Sequence, residues 1–442
     1  MNNNSRYTLL ISIISALGGY LFGFDFAVIA GTLPFLKHFF ELNAWWEGFL
    51  TGILALGCMV GCVIAGRMGE RFGRKPSLML SASIFAISSL GMALSDSLFF
   101  FMLMRFMAGI GVGMASMLSP LYIAEVSPAS IRGRNVSINQ LTIVFGILIT
   151  NLVNYAIADL GENAWRWMFG LGLVPSLGFL LGLCWLPESP RWLLLNNQKA
   201  KAITILNRIG GESFTALTLA QTAKHQDVSS DSKESIFSKR NMAVLYVGIG
   251  LAVFQQLCGI NVVFNYTAII FETVGADLNR QLFETVAIGV VNVVFTIAAM
   301  FMVDKLGRKP LMLFGSISLA TAYLLMAILL KTQASAVYLS IVVMLAISIY
   351  ASTLAPVTWV LISEIFPNNI RGKASSFSIL CLWGAYFILV FTFPILAASL
   401  GTYGPFMLYA VICVIGFIFI KMKVKETKGK TLEQLEDIFV GH

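Results

Sequence analysis

Two charged side chains stand in apolar surroundings where charge is costly. Asp25 lies in GYLFGFDFAVIAG and Arg105 in LMRFMAGIGVG, the only strongly embedded charges in the first half of the chain. A carboxylate at membrane depth costs at least a few kcal/mol, so an ionisable residue there is a functional candidate by default. An aspartate and an arginine in one bundle are expected to pair. That pair is either a permanent structural ion pair or a titrating switch, whose proton affinity changes as the guanidinium moves closer or further away.

A second group consists of amides where a packing helix would carry Leu or Ile: Gln140, Gln255, Gln256, Asn261, Asn265 and Asn292. Amides offer both donors and acceptors, as a neutral polyhydroxylated ligand requires. Trp359, Trp383 and Tyr266 supply flat apolar faces of the kind that stack on sugar rings. For a single amide, interhelical hydrogen bonding is the competing reading. The run Gln255-Gln256…Asn261…Asn265-Tyr266 is too dense for that alone.

The third group is repeated. Glu125, Pro128, Ile131, Arg132 and Gly133 return as Glu364, Pro367, Ile370, Arg371 and Gly372, each 239 positions later. Glu70-Arg71-Phe72-Gly73-Arg74-Lys75-Pro76 returns as Asp304-Lys305-Leu306-Gly307-Arg308-Lys309-Pro310, 234 positions later. Two unrelated motifs at nearly one offset indicate a duplicated half. Charges at these helix ends, with Glu188, can latch the halves together in one conformation and release them in another. Solvated loops that only set topology are the alternative.

The elements that must position these groups follow from composition. The chain is 57% hydrophobic and 12% charged, whereas a soluble domain is about a quarter charged. Its apolar residues form blocks of roughly the 20 residues that a helix needs to cross a bilayer. Twelve spans are expected, with one long polar stretch, Pro187 to Asn241, after the sixth. Small residues one turn apart, as in Gly57–Gly61 and Gly109–Gly113, predict close helix packing. Pro34, Pro120, Pro175, Pro356 and Pro394 mark candidate breaks or helix ends.

The net charge of +8 does not point to nucleic acid. Basic residues crowd alternate loops, a positive-inside pattern that puts both termini in the cytoplasm. The first apolar block is too long for a signal h-region and is expected to remain as the first span. The six cysteines lie in or against apolar blocks and are read as packing residues. No nucleophile–base pair, metal set or cofactor motif is evident, so an enzyme is not expected.

Together the motifs resemble the sugar porter family of the major facilitator superfamily, over nearly the whole chain. The markers are GRMGERFGRK (66–75), RFMAGIGVG (105–113), PLYIAEVSPASIRGR (120–134), PESPRWLL (187–194), QQLCGINVVFNY (255–266), DKLGRKP (304–310), EIFPNNIRGK (364–373) and ETKGKTLEQLE (426–436). The nearest resemblance is to bacterial proton-coupled symporters of the xylose–proton type. It implies an all-α membrane protein with two six-helix bundles, 1–187 and 241–422, a cytoplasmic helical linker, 188–240, and a tail, 423–442. Substrate is implied between the bundles near mid-membrane.

By the same resemblance Gln140, Gln255, Gln256, Asn261, Asn292, Trp359 and Trp383 contact sugar, and Asn265 and Tyr266 gate it. Asp25 and Arg105 couple the proton. Glu70, Arg71, Arg74, Glu125, Arg132, Glu188, Asp304, Arg308, Glu364 and Arg371 form the cytoplasmic salt-bridge latch. The chain departs from that pattern in several places. Ile147 and Leu382 replace glutamines, Tyr386 stands where an asparagine is found, Asn265 replaces the first of two tyrosines, and Glu70 replaces an aspartate. The expectation is a proton-coupled monosaccharide importer of the inner membrane, working as a monomer without cofactors. A facilitative sugar or polyol carrier is the alternative. A sugar sensor is disfavoured by the short tail after the last span.

Overall fold

The computed structural model describes residues 3–229, 235–367 and 370–428, with the side chains of 3–5, 129–130, 221–229, 304 and 363 outside the described set. All regular structure among the described residues is helical. Long helices follow from the solvent. Without water in the bilayer core, backbone N–H and C=O groups must pair within their own segment. Buried hydroxyls obey the same rule by bonding back one turn, as Ser12, Ser15 and Thr32 do to the carbonyls of Thr8, Ile11 and Val28.

Twelve stretches are long and apolar enough to span a membrane, the number expected from the apolar blocks. The first five are continuous: α1 (Asn3–Phe39), α2 (Ala44–Arg71), α3 (Arg74–Ala93), α4 (Leu98–Val126) and α5 (Ala129–Ile157). The sixth is divided into α6 (Ala164–Gly170) and α7 (Leu173–Trp185). The polar stretch forms α8 (Pro190–Leu195) and α9 (Lys199–Ser229). The seventh span is α10 (Lys239–Leu257) with α11 (Ile260–Glu272), followed by α12 (Leu278–Leu306) and α13 (Arg308–Lys331). The tenth is α14 (Ala336–Ser352) with α15 (Leu354–Glu364), and the last two are α16 (Arg371–Leu400) and α17 (Tyr403–Lys423).

The divided spans have local causes. Pro175 and Pro356 fall just inside α7 and α15, where a missing N–H is harmless. The chain breaks immediately before each first turn. Between α10 and α11, Gly259 takes a left-handed φ of 93°, which a glycine adopts at little cost. That break interrupts the amide run. Pro34, Pro120 and Pro394 stay inside continuous helices. Helix α1 also outruns its apolar block, carrying Lys37 and His38 in its last turn, where cations favour the helix dipole.

The chain forms two compact units. One holds Met1–Asp25, Leu56–Ile149 and Arg166–Lys233; the other holds Phe26–Ala55, Thr150–Trp165 and Glu234–His442. In the first, α3 packs on α4 and α7. Helices α2 and α4 approach at the small residues singled out above. A Cβ on Gly57 would lie 2.2 Å from the Phe106 carbonyl oxygen, and one on Gly113 2.3 Å from that of Cys58. In the second unit, α13 packs on α17, α10 on α16 and α12 on α14. The second half of α1 and the start of α2 belong here, with Gly48 set against the Phe391 backbone of α16. The end of α5 joins through Asn151 Nδ2, which donates to the Thr285 carbonyl at 2.7 Å.

Backbone lies behind the Gly113 contact, so it cannot yield as a flexible side chain would. Gly113→Ala is expected to destabilise the protein by about 1–3 kcal/mol. Gly133→Ala, with nothing within 4 Å of the new Cβ, should be neutral or stabilising by up to ~1 kcal/mol. Thermal unfolding of the purified variants in detergent checks both.

Candidate functional site

Asp25 sits midway along α1 and Arg105 early in α4. Both belong to the first unit and are buried, with side chains 0% and 1% exposed. Arg105 Nη1 stands 3.6 Å from Asp25 Oδ2, close enough for an ion pair and too far for a hydrogen bond. Neither carboxylate oxygen has a hydrogen-bond partner among the described residues. Buried ion pairs that are not fully hydrogen-bonded are weak sources of stability. This pair therefore has little to hold it in one state. The buried Cys58 thiol lies within electrostatic range of both partners.

The repeated loop motifs build two matching carboxylate cradles, one in each unit. In the first, Arg74 grips Glu125 bidentately, Nε to Oε2 and Nη2 to Oε1, each at 2.9 Å. Glu188 accepts from the backbone N–H groups of Arg74 and Lys75, and the Ser189 hydroxyl donates to Glu125 at 2.5 Å. In the second, Arg308 pairs with Glu364 at 3.3 Å. Glu426 accepts from the N–H groups of Arg308 and Lys309, and the Thr427 hydroxyl donates to Glu364 at 2.6 Å.

Each cradle places an acid at the N-terminus of a helix, α3 or α13, whose unpaired N–H groups favour negative charge. The preceding Gly73 and Gly307 have φ of 101° and 92°. A Cβ there would lie 2.2 Å and 2.9 Å from the captured carboxylate. Glycine is thus required twice over in both copies.

The expected latch residues divide accordingly. Arg74, Glu125 and Glu188 come together, as do Arg308 and Glu364. Glu125 and Glu364 therefore pair with the loop arginines rather than with Arg132 and Arg371. Arg132 is exposed, and Arg371 Nε donates to the Phe366 carbonyl at 3.1 Å. Glu70 contributes its carbonyl to Trp192 Nε1 at 2.7 Å, and Arg71 lies over the Phe72 ring. The Asp304 side chain lies outside the described residues. Glu426, Ser189 and Thr427 were missed, although Glu188-Ser189 and Glu426-Thr427 repeat at the offset of the duplication. Also missed was Glu284, buried in α12, with Arg280 Nη2 and the Ser340 hydroxyl each at 2.6 Å. It lies outside both repeated motifs.

The amide run converges in the second unit. Gln255 and Gln256 end α10, and Asn261 and Asn265 face them from the start of α11. All four are buried. Gln256 Nε2 donates to Gln255 Oε1 at 3.3 Å and Asn261 Nδ2 to Gln256 Oε1 at 2.5 Å. Asn265 Nδ2 donates to the Asn261 carbonyl at 2.6 Å and to the Tyr386 hydroxyl at 2.9 Å. Tyr266, where α11 leaves helical geometry, donates to the Val390 carbonyl at 2.9 Å. Trp383 is buried with Phe26 and Tyr386 around it. Trp359 on α15 is 41% exposed, and Asn292 is buried on α12. Gln140 lies on α5 in the first unit. Ile147 and Leu382 are both buried.

The family described as Sugar (and other) transporter matches residues 11–439. The chain belongs to that family. Among its relatives, the D-xylose-proton symporter of Escherichia coli (strain K12) is 37% identical, over 99% of this chain and 96% of that one. The Glucose transport protein of Synechocystis sp. is 38% identical, over 98% and 97%. An inward-open structure of the E. coli xylose transporter matches with a TM-score of 0.88 at 35% identity, covering 98% of this chain and all of the other. The protein is thus a multi-pass member of the major facilitator superfamily, a transporter and not an enzyme.

The two cradles differ in electrostatics. Burial holds Glu188 above the usual carboxylate range, offset only in part by the N–H donors of Ser189, Lys75 and Arg74 and by the Arg74 charge. Around the shallower Glu426, burial also opposes ionisation, but the N–H donors of Lys428, Arg308, Lys309 and Thr427 outweigh it and lower the pKa. The stabilising contribution of Glu188 is therefore present below its ordinary 4.5 and lost as pH rises. That of Glu426 is present above 4.5 and lost as pH falls. Between about pH 4 and about pH 7, the melting-temperature advantage of the wild type over Glu188→Gln should shrink. Its advantage over Glu426→Gln should grow. Thermal melts across that range test both signs.

Proposed function

We propose that this chain is a proton-coupled monosaccharide importer of the cytoplasmic membrane, working by alternating access as a monomer. The observation that carries the reading is the Asp25–Arg105 pair, buried, 3.6 Å apart and without a hydrogen bond to the carboxylate. Protonation removes a charge that burial leaves unhydrated, at the cost of the attraction to Arg105. Proton arrival thus loosens α1 from α4, and proton release restores the hold. The relationship to a D-xylose-proton symporter supports coupling.

The sugar ligands assigned are Gln140, Gln255, Gln256, Asn261, Asn292, Trp359 and Trp383, with Asn265 and Tyr266 as gate. The domains assigned are the bundles 1–187 and 241–422, the cytoplasmic linker 188–240 and the tail 423–442, with both termini cytoplasmic. The carboxylate cradles, with Glu70, Arg71, Arg132, Asp304 and Arg371, are assigned to the latch. Each ligand shifts the equilibrium only by its differential affinity for the two states. One proton moving down about 150 mV supplies roughly 3.5 kcal/mol, enough for accumulation of a few hundred-fold.

A facilitative carrier is the second reading, favoured by the 38% identity to the Glucose transport protein. Uptake of labelled hexoses, pentoses and polyols into proteoliposomes, with and without an inward proton gradient, separates the two. Symport predicts gradient-driven accumulation that Asp25→Asn abolishes while exchange of the same sugar persists. Equilibration alone, indifferent to the substitution, would establish the carrier.

A further inference from the structure

A directed chain of hydrogen bonds runs through the second unit, from Gln255 by way of Gln256 and Asn261 to Asn265 and Tyr386. A primary amide has two N–H donors and one carbonyl acceptor. Asn265 commits its donors to the Asn261 carbonyl and the Tyr386 hydroxyl. Its Oδ1 is left buried and without a partner. The residue is 1% exposed and directly precedes Tyr266, where φ and ψ of −116° and 16° depart from the helix.

Packing aims the tyrosine. Its ring centroid lies 5.1 Å from that of Phe26 and 5.9 Å from that of Trp383, and those two are 6.3 Å apart. The hydroxyl is thereby held against the amide nitrogen from α16. With both N–H groups occupied, Asn265 can only accept a hydrogen bond from a ligand. If the hydroxyl is removed, one N–H is released and the position becomes able to donate as well.

We propose that Asn265 Oδ1 is a dedicated acceptor for one substrate hydroxyl, and that Tyr386 is the positioning residue that keeps it so. This rests on the reading of the amide run as a sugar site. The chemical class it selects is a monosaccharide with a hydroxyl proton to donate at that carbon. A site built around a hydrogen bond to a hydroxyl rejects the analogue that lacks it far more strongly than an apolar pocket rejects a missing methylene.

The test is competition against uptake of labelled D-glucose, or of D-xylose if that is the sugar accumulated, in proteoliposomes. The competitors are the monodeoxy and monodeoxyfluoro analogues of the same sugar; fluorine accepts a hydrogen bond weakly and cannot donate one. In the wild type, at one carbon, both analogues should bind about tenfold or more weaker than the parent. Tyr386→Phe keeps the ring and should narrow the fluoro penalty at that carbon alone, by about threefold or more. Asn265→Ala should remove the penalty, and adding Tyr386→Phe to it should change nothing further.

A Tyr386→Phe variant that weakens parent and analogues alike would make the tyrosine merely structural and overturn the proposal. So would a wild type that penalises no hydroxyl position although Gln255→Ala abolishes uptake, which would leave the sugar reading intact. Absence of monosaccharide uptake by the wild type would sink both.

Discussion

In a bilayer a polar group must find its hydrogen bonds inside the protein, and every notable feature of this chain is a response to that demand. Backbone groups meet it by forming helices, and serines and threonines by bonding back one turn. The loop arginines meet it with bidentate carboxylates, and the amides by bonding one another. Asp25 is the conspicuous exception, a buried carboxylate with an ion-pair partner and no hydrogen bond. A protein that leaves such a group unsatisfied holds an arrangement that a single proton can alter. Much of the surrounding architecture can be understood as keeping water from that position while letting the helices that carry it move.

The carboxylate cradles show how duplication yields equivalent geometry with different electrostatics. Gly73 and Gly307 turn the chain in the same way, and each admits an acid to the N-terminus of a helix. The acids come from different contexts, one before a short helix of the linker and the other from the segment after the last span. Deeper burial at Glu188 and an additional N–H donor at Glu426 push the two ionisation equilibria in opposite directions. Two halves with the same fold can therefore respond unequally to the same change in pH.

The amide run illustrates a different use of a broken helix. Gly259 interrupts the seventh span between Gln256 and Asn261, so that the amides face one another across the break instead of spiralling around one helix. Each then orients the next, and the aromatic group of Phe26, Trp383 and Tyr386 closes the far end. Networks of this kind hold their members in a defined polarity, which matters where a ligand is distinguished by which of its hydroxyls can donate.

The sequence alone was enough for the membrane class, the twelve spans, the duplication and the family. Those depend on block length, charge placement and repeated motifs, which are properties of local stretches of chain. Asp25 and Arg105 were legible for the same reason, because charge in an apolar block is anomalous wherever the block ends up. Partners were not legible. Glu125 and Glu364 turn to Arg74 and Arg308 rather than to the nearer Arg132 and Arg371, because the loop arginines lie at helix starts packed beside them. Glu426 found its place only once α17 had brought it to the start of α13. Asn265 and Tyr386, 121 positions apart, meet only because α11 packs on α16. Sequence carries the cost of burying each group; which group answers it is decided by the packing of helices remote in the chain, where no local pattern records the distance.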